Sequence, residues 1–214
     1  MDSFKELAQA RRSHRIYTDE PVSDEYVRTI LRAALMSPTA KGLRKWKFVV
    51  TDNKEKIEDL AGIRTAGSQF LAGAPVVIAV LGEPGEEEMW VEDCSIAAVS
   101  MQYQAEDLGL GSCWCHIRGR ESKDAGVTAE QKVRSILNIP EKYSVLCLIA
   151  VGHPADERKP QNEEALKWDQ VSYVHCAGGP VPVVVQDQVR DSEAGRIGSG
   201  AERSDCVRAS VPKR

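Results

Sequence analysis

Apolar side chains recur three and four positions apart between Asp24 and Met36, at Val27, Ile30, Leu31, Ala34 and Leu35. That spacing predicts an amphipathic helix over 24–36, stopped where Ser37-Pro38 imposes extended backbone on the residue before the proline. The loop that follows delivers Trp46-Lys47-Phe48-Val49-Val50-Thr51 as a strand. Between Phe70 and Leu81 a small-residue turn leads into a nearly continuous apolar run, the pattern of a strand buried on both faces. Trp90–Leu108 reads as a helix with more apolar and small residues than a one-faced surface helix carries, and Val145–Pro154 as another core strand. Helices alternating with strands predict an α/β or α+β sandwich layered around a central sheet.

Composition narrows the class without naming the chemistry. A chain of 214 residues can bury one good core and is read as one domain. No stretch approaches the roughly 20 apolar residues of a membrane span, and Met1–Glu6 lacks a signal-peptide pattern, so a cytoplasmic protein is expected. A net charge of −4 argues against nucleic acid as a partner. Six cysteines without a secretion signal are read as free thiols. After His175 the chain becomes rich in Gly, Arg, Ser and Val; residues 176–214 are read as a disordered or non-native tail, the alternative being a segment that wraps a partner subunit.

Candidate chemistry begins at Arg11-Arg12-Ser13-His14-Arg15, where three guanidinium groups and a hydroxyl fall within five residues. Such groups bind phosphate in paired, charge-assisted geometry, although a solvated basic turn has the same composition. A Gly/Pro-punctuated loop, Ser37–Lys45, lies on the other side of the 24–36 helix. Cys113-x-Cys115-His116 invites a metal reading, but tetrahedral zinc needs four ligands and no second pair follows unless Cys94 or His153 folds back. No Ser-His-Asp or Cys-His order accompanies the four histidines, and no Gly-x-Gly-x-x-Gly fingerprint is present.

Arg11-x-Ser13-x-Arg15, then a helix, then Ser37-Pro38-Thr39 and Trp46-x-Phe48, together resemble the FMN-dependent nitroreductase family. Its members show R-x-S-x-R/K in their first helix and S-P-S/T-x-x-N-x-Q-P-W-x-F ahead of the first strand. Gly109–Arg118 is similar to the family's turn and strand across the flavin ring, and Gly152-x-Pro154 with Lys159-Pro160 to its closing motif. Gly42 stands where the family often has asparagine, and Arg44-Lys45 where it often has Gln-Pro. The first departure removes a side-chain hydrogen bond but permits close backbone approach; the second adds positive charge that would suit a 2′-phosphate.

The resemblance implies a three-layer α+β sandwich with a mixed central sheet flanked by helices, spanning residues 1–175, in a homodimer whose two FMN sites each draw on both chains. It implies that Arg11, Arg12, Ser13 and Arg15, with Arg158 or Lys159, hold the ribityl phosphate and the pyrimidine edge. Pro38, Thr39, Ala40 and Gly42 would contact the cofactor from the partner chain, and Trp114, Cys115, His116 and Ile117 would cover one ring face. It implies no catalytic side chain and no metal. FMN would carry electrons from NADH or NADPH to a small-molecule acceptor such as a nitroaromatic or quinone in ping-pong order. Two other readings stay open: a flavin-binding sensor or storage protein on the same fold, and a colourless thiol or metal protein built on Cys113, Cys115 and His116.

Overall fold

The computed structural model describes residues 3–172, so the reading of 176–214 as a tail falls outside the described residues. The chain divides into a unit ending at Ala165 and another beginning at Leu166. The described part of the latter holds one 3-10 turn, Trp168–Gln170.

Five helices and four strands build the first unit: α1 (Phe4–Ala10), α2 (Asp24–Leu35), β1 (Trp46–Thr51), α3 (Lys54–Ala61), β2 (Val76–Gly82), α4 (Trp90–Asp107), β3 (Gly111–His116), α5 (Ala129–Leu137) and β4 (Ser144–Gly152). The strands are ordered β1-β2-β4-β3. All of β2 is buried, as its unbroken apolar run requires. Its side chains alternate between two cores. Val77, Ala79 and Leu81 meet Ile57 and Leu60 of α3 and Val133 of α5. Val76, Ile78 and Val80 meet Ile30 and Ala34 of α2 and Ala97, Ala98 and Met101 of α4. The result is the expected three-layer α+β sandwich.

The sheet differs from the mixed one implied by the resemblance, because each of its three strand pairs is antiparallel. The β2–α4–β3 crossover does leave β2 and β3 running in the same direction, but β4 inserts between them and makes both of its pairings antiparallel. The parallel component among the described residues is a single bridge, Ser13 to Ser112, beside β3.

Two helices expose apolar residues that the sequence pattern places inside. On α2, Ile30 and Ala34 are buried, yet Leu35 and the adjoining Met36 are open to solvent. On α4, Cys94, Ala97, Ala98, Met101 and Ala105 form the buried stripe, while Ile96 and Val99 on another face stay exposed. The several-sided burial expected of this helix is therefore not complete within one chain.

Candidate functional site

A capping box starts α1: the Ser3 hydroxyl accepts from Glu6 N–H and the Glu6 carboxylate from Ser3 N–H. The helix ends at Ala10, and the Arg11 backbone turns to an extended ψ of 120°. The basic run thus follows the first helix, where the resemblance places it inside. The reason is pairing beside the sheet. His14 N–H donates to Ser112 O at 3.1 Å, Thr18 N–H to His153 O at 2.9 Å and Ala155 N–H to Ile16 O at 3.0 Å. A helical 11–15 would forgo the first of these bonds and displace the segment that makes the other two.

Gly111 makes this approach possible, since a Cβ there would lie 2.8 Å from His14 Cβ and 3.2 Å from Pro154 Cβ. Cross-links then fasten the run to the segment after β4. Arg12 Nη1 donates to Lys159 O at 2.6 Å, and the Asp156 carboxylate is held by His14 Nδ1 at 2.8 Å and Arg158 Nε at 2.6 Å. Burial pushes the Asp156 carboxyl up, but the bonds from His14 and Arg158 outweigh it and hold the group below its ordinary value. A carboxyl lowered in the folded state contributes stability above its ordinary value of 3.8 that is lost as pH falls through the lowered folded value. Wild type should therefore exceed Asp156→Asn in urea stability at pH 7, and the two should converge in acid below pH 3.8; a gap that persists there would contradict this account.

Arg11 and Arg15 have no carboxylate within 4.0 Å among the described residues, and neither has the Lys159 ammonium, whereas Arg158 is paired. Arg12 likewise has no acidic partner but is committed to Lys159 O, which leaves two guanidiniums and an ammonium free of both carboxylate and carbonyl among the described residues. Arg15 projects over the Phe70 ring, 5.9 Å from its centroid.

On β3 the side chains alternate. Cys113, Cys115 and Ile117 turn into the core, and Cys115 Sγ donates to Gly67 O at 3.3 Å. Any contact of Cys115 or Ile117 with a ligand over this strand falls to the backbone. Trp114 and His116 lie on the opposite face, Trp114 half-buried against the second core and His116 exposed, with rings 5.4 Å apart, and Trp114 Nε1–H donates to His116 Nδ1 at 3.1 Å. The neutral imidazole therefore carries its own proton on Nε2. Burial, then Arg120 and Arg64, lowers the His116 pKa below its ordinary value.

Burial keeps the thiols protonated: it pushes Cys115 up to about 11 and raises Cys113 against the pull of Arg15. No group of three or more His, Cys, Asp or Glu that could hold a metal occurs among the described residues.

The Ser37–Lys45 loop contains a 3-10 turn, Ala40–Gly42, and is tied to α4 at Asp93 near its start and at Ser100 past its middle. Ser37 Oγ donates to Ser100 Oγ at 2.8 Å, Ala40 N–H to Asp93 Oδ1 at 2.9 Å and Arg44 N–H to Thr39 Oγ1 at 3.2 Å. Gly42 adopts φ +67° with no atom within 4 Å of a built Cβ, so backbone conformation accounts for glycine there. Lys45 is partly neutralised by Glu86 at 3.3 Å.

Pro38, Thr39, Ala40 and Gly42 do not join the basic run within one chain. Their anchor Asp93 and Glu106, whose carboxyl lies in the fields of His14 and Arg11, are 106 − 93 = 13 positions apart on α4, about 20 Å at 1.5 Å per residue.

The sequence profile of the Nitroreductase family matches residues 8–64 and 62–153. This chain belongs to the nitroreductase family. A protein of Archaeoglobus fulgidus, provisionally named NADH dehydrogenase/NAD(P)H nitroreductase, is 33% identical over 162 residues, covering 74% of this chain and 89% of the relative. An FMN reductase [NAD(P)H] of Bacillus subtilis is 26% identical, covering 77% of this chain and 72% of its own. Among solved structures, an FMN-dependent nitroreductase of Clostridium difficile R20291 superposes with a TM-score of 0.76 and 41% identity, covering 79% of this chain and 98% of that one.

The fold also brings in residues that sequence reading did not select. Arg64, Phe70 and Arg120 join Arg15, Trp114 and His116 around a cleft of about 440 Å³. Arg64 Nη1 donates to His116 O at 3.1 Å. The sequence signal for Arg120 is its position just beyond β3; Arg64 carries none, because only tertiary packing delivers it.

Proposed function

We propose that this nitroreductase-family chain is an FMN-dependent oxidoreductase that passes electrons from NADH or NADPH to nitroaromatics, quinones or similar flat acceptors. The observation that supports it most is the set of cations without acidic partners at Arg11, Arg15 and Lys159, carried on backbone segments tied to β3 and to each other through His14 N–H and Lys159 O. Such a donor set fits a phosphate and an electron-rich ring edge. When bound, FMN supplies the two-electron carrier, so hydride transfer requires no acid or base from the protein.

In this reading Arg11, Ser13, Arg15 and Lys159 bind the phosphate and pyrimidine edge, while Arg12 and Arg158 brace them through Lys159 O and Asp156. The β3 backbone from Trp114 to Ile117 orients the ring, and Trp114 and Phe70 exclude water beside it. NAD(P)H and the acceptor use the same cleft in turn, which is ping-pong order. Buried free thiols at Cys94, Cys113, Cys115 and Cys147 suit a reducing cytoplasm.

A homodimer completes the site by delivering Pro38–Gly42 from the second chain. The exposed apolar residues Phe4, Met36, Ile96 and Val99 give that dimer its surface. Replacing Ile96 and Val99 with aspartate would bury unpaired charge at the interface, at a cost of several kcal/mol. Light scattering should then report a monomer that has lost most of its FMN affinity. A wild-type monomer fully loaded with FMN would reject the two-chain site.

The function itself is tested by the absorbance spectrum of FMN-supplied protein under anaerobic conditions. Flavin bands that bleach with NADH or NADPH and recover with a quinone, with parallel double-reciprocal plots, are expected. Bands that never bleach would leave a flavin-binding protein without turnover.

A further inference from the structure

The cleft beside β3 carries more positive charge than its cofactor role requires. Three guanidiniums converge on it, from Arg15, Arg64 and Arg120, and none has a carboxylate within 4.0 Å among the described residues. This runs against the chain's composition, in which 32 acidic residues outnumber 28 basic ones. Ion pairs elsewhere join Lys5 to Glu163, Lys132 to Asp124, Arg134 to Glu130 and Lys142 to Glu83. Only Arg15 belongs to the basic run assigned to the cofactor.

Geometry fixes where the other two cations act. The bond from Arg64 Nη1 to His116 O sets its guanidinium at the end of β3, and Arg120 lies exposed four residues beyond His116. Both charges are felt at the His116 ring, whose protonation they and burial oppose. The neutral ring offers a donor at Nε2, and Phe70 and Trp114 supply flat apolar surface. Guanidiniums beside aromatic faces select a planar ligand bearing an anionic oxygen group.

We infer that Arg64 and Arg120 form an anion subsite of this cleft, selecting a redox partner that carries a carboxylate or phosphate. The partner's anionic group has two possible sources, an aromatic acid as acceptor or the 2′-phosphate of NADPH. The inference rests on the oxidoreductase reading for turnover, but anion binding can be read apart from it.

The test uses FMN-loaded protein and compares two ratios of kcat/KM in wild type, Arg120→Gln and Arg64→Gln. One is 4-nitrobenzoate over 4-nitrobenzamide with NADH; the other is NADPH over NADH with menadione. In the first, the nitro group takes two electrons and two protons to become nitroso and water, while NADH loses a hydride to become NAD⁺. An anionic preference of about tenfold is expected in at least one ratio. It should fall toward parity in Arg120→Gln and shrink as salt rises. The ratio that moves identifies the source. Parity of both ratios in wild type, or a preference untouched by Arg120→Gln, would overturn the subsite.

Should Arg64→Gln lose its flavin, Arg120→Gln and the salt series still decide. A protein that takes up no FMN would instead overturn the oxidoreductase reading. Calorimetric titration with 4-nitrobenzoate would then judge the subsite alone: binding weakened by Arg120→Gln upholds it, and no binding to wild type removes it.

Discussion

Replacing Arg11 and Arg15 together with alanine is expected to release FMN. Each guanidinium offers charge-assisted hydrogen bonds worth roughly 1.5–3 kcal/mol apiece, so one bond lost per residue weakens binding by about two to four orders of magnitude in total. The effect should be larger than that of removing Arg12 or Arg158, because those side chains are occupied by Lys159 O and Asp156. Fluorescence titration with FMN measures the loss, and the thermal midpoint of the flavin-free protein shows whether the fold survived. It should survive, since neither guanidinium makes a hydrogen bond or ion pair among the described residues; the run is seated on the sheet by the His14 N–H bond to Ser112 O. Lysine at both positions should restore part of the affinity as point charge without the bidentate fork. Unchanged affinity in the double alanine variant would reject the phosphate role.

Much of the scaffold behind that prediction was legible because local signals and tertiary demand agreed. The strand Trp46–Thr51 is found where the sequence places it, and α2 ends one residue short of the expected Met36. The helices α3 and α5 escaped because they are short and polar. Thr128-x-x-Gln131 nevertheless forms a full capping box on α5, and the Asn53 side chain caps α3, so cap residues marked what periodicity could not. At the site, the basic run and the 38–42 loop were legible as motifs. Their separation along α4 was not, because spacing in sequence says nothing about which chain completes a site. The alternation on β3 predicts that Cys113 and Cys115 share a face with Ile117, and that face is the core; period-two reasoning applied to Gly111–His116 would have turned the thiols inward. Arg64 and Arg120 lie on separate loops, Arg64 alone and Arg120 in Arg118-Gly119-Arg120, and only the fold brings them to Arg15.

Gly111→Ala should damage stability and cofactor binding together, through one contact. The added methyl would sit 2.8 Å from His14 Cβ and 3.0 Å from its Cγ, closer than real Cβ atoms come, so either β3 or the 13–14 segment must move. Overpacking of this kind costs about 1–3 kcal/mol. In a domain of this size, that lowers the thermal midpoint by roughly 2–4 °C per kcal/mol. Gly73→Ala is the matched control, because a Cβ there meets no atom within 4 Å. The displaced segment carries Arg11, Ser13 and Arg15, held to the sheet by the His14 N–H bond to Ser112 O and the bridge between Ser13 and Ser112. Strain at Gly111→Ala therefore falls on the cations themselves, and FMN affinity should drop although every proposed cofactor ligand is intact. Differential scanning calorimetry with and without FMN separates the two effects. The flavin-free midpoint reports the packing cost, and a smaller upward shift on adding FMN reports the misplaced cations. A Gly111→Ala variant that loses stability but keeps the full FMN-induced shift would mean that the run is placed by its cross-links to Lys159 and Asp156, not by its seat on β3.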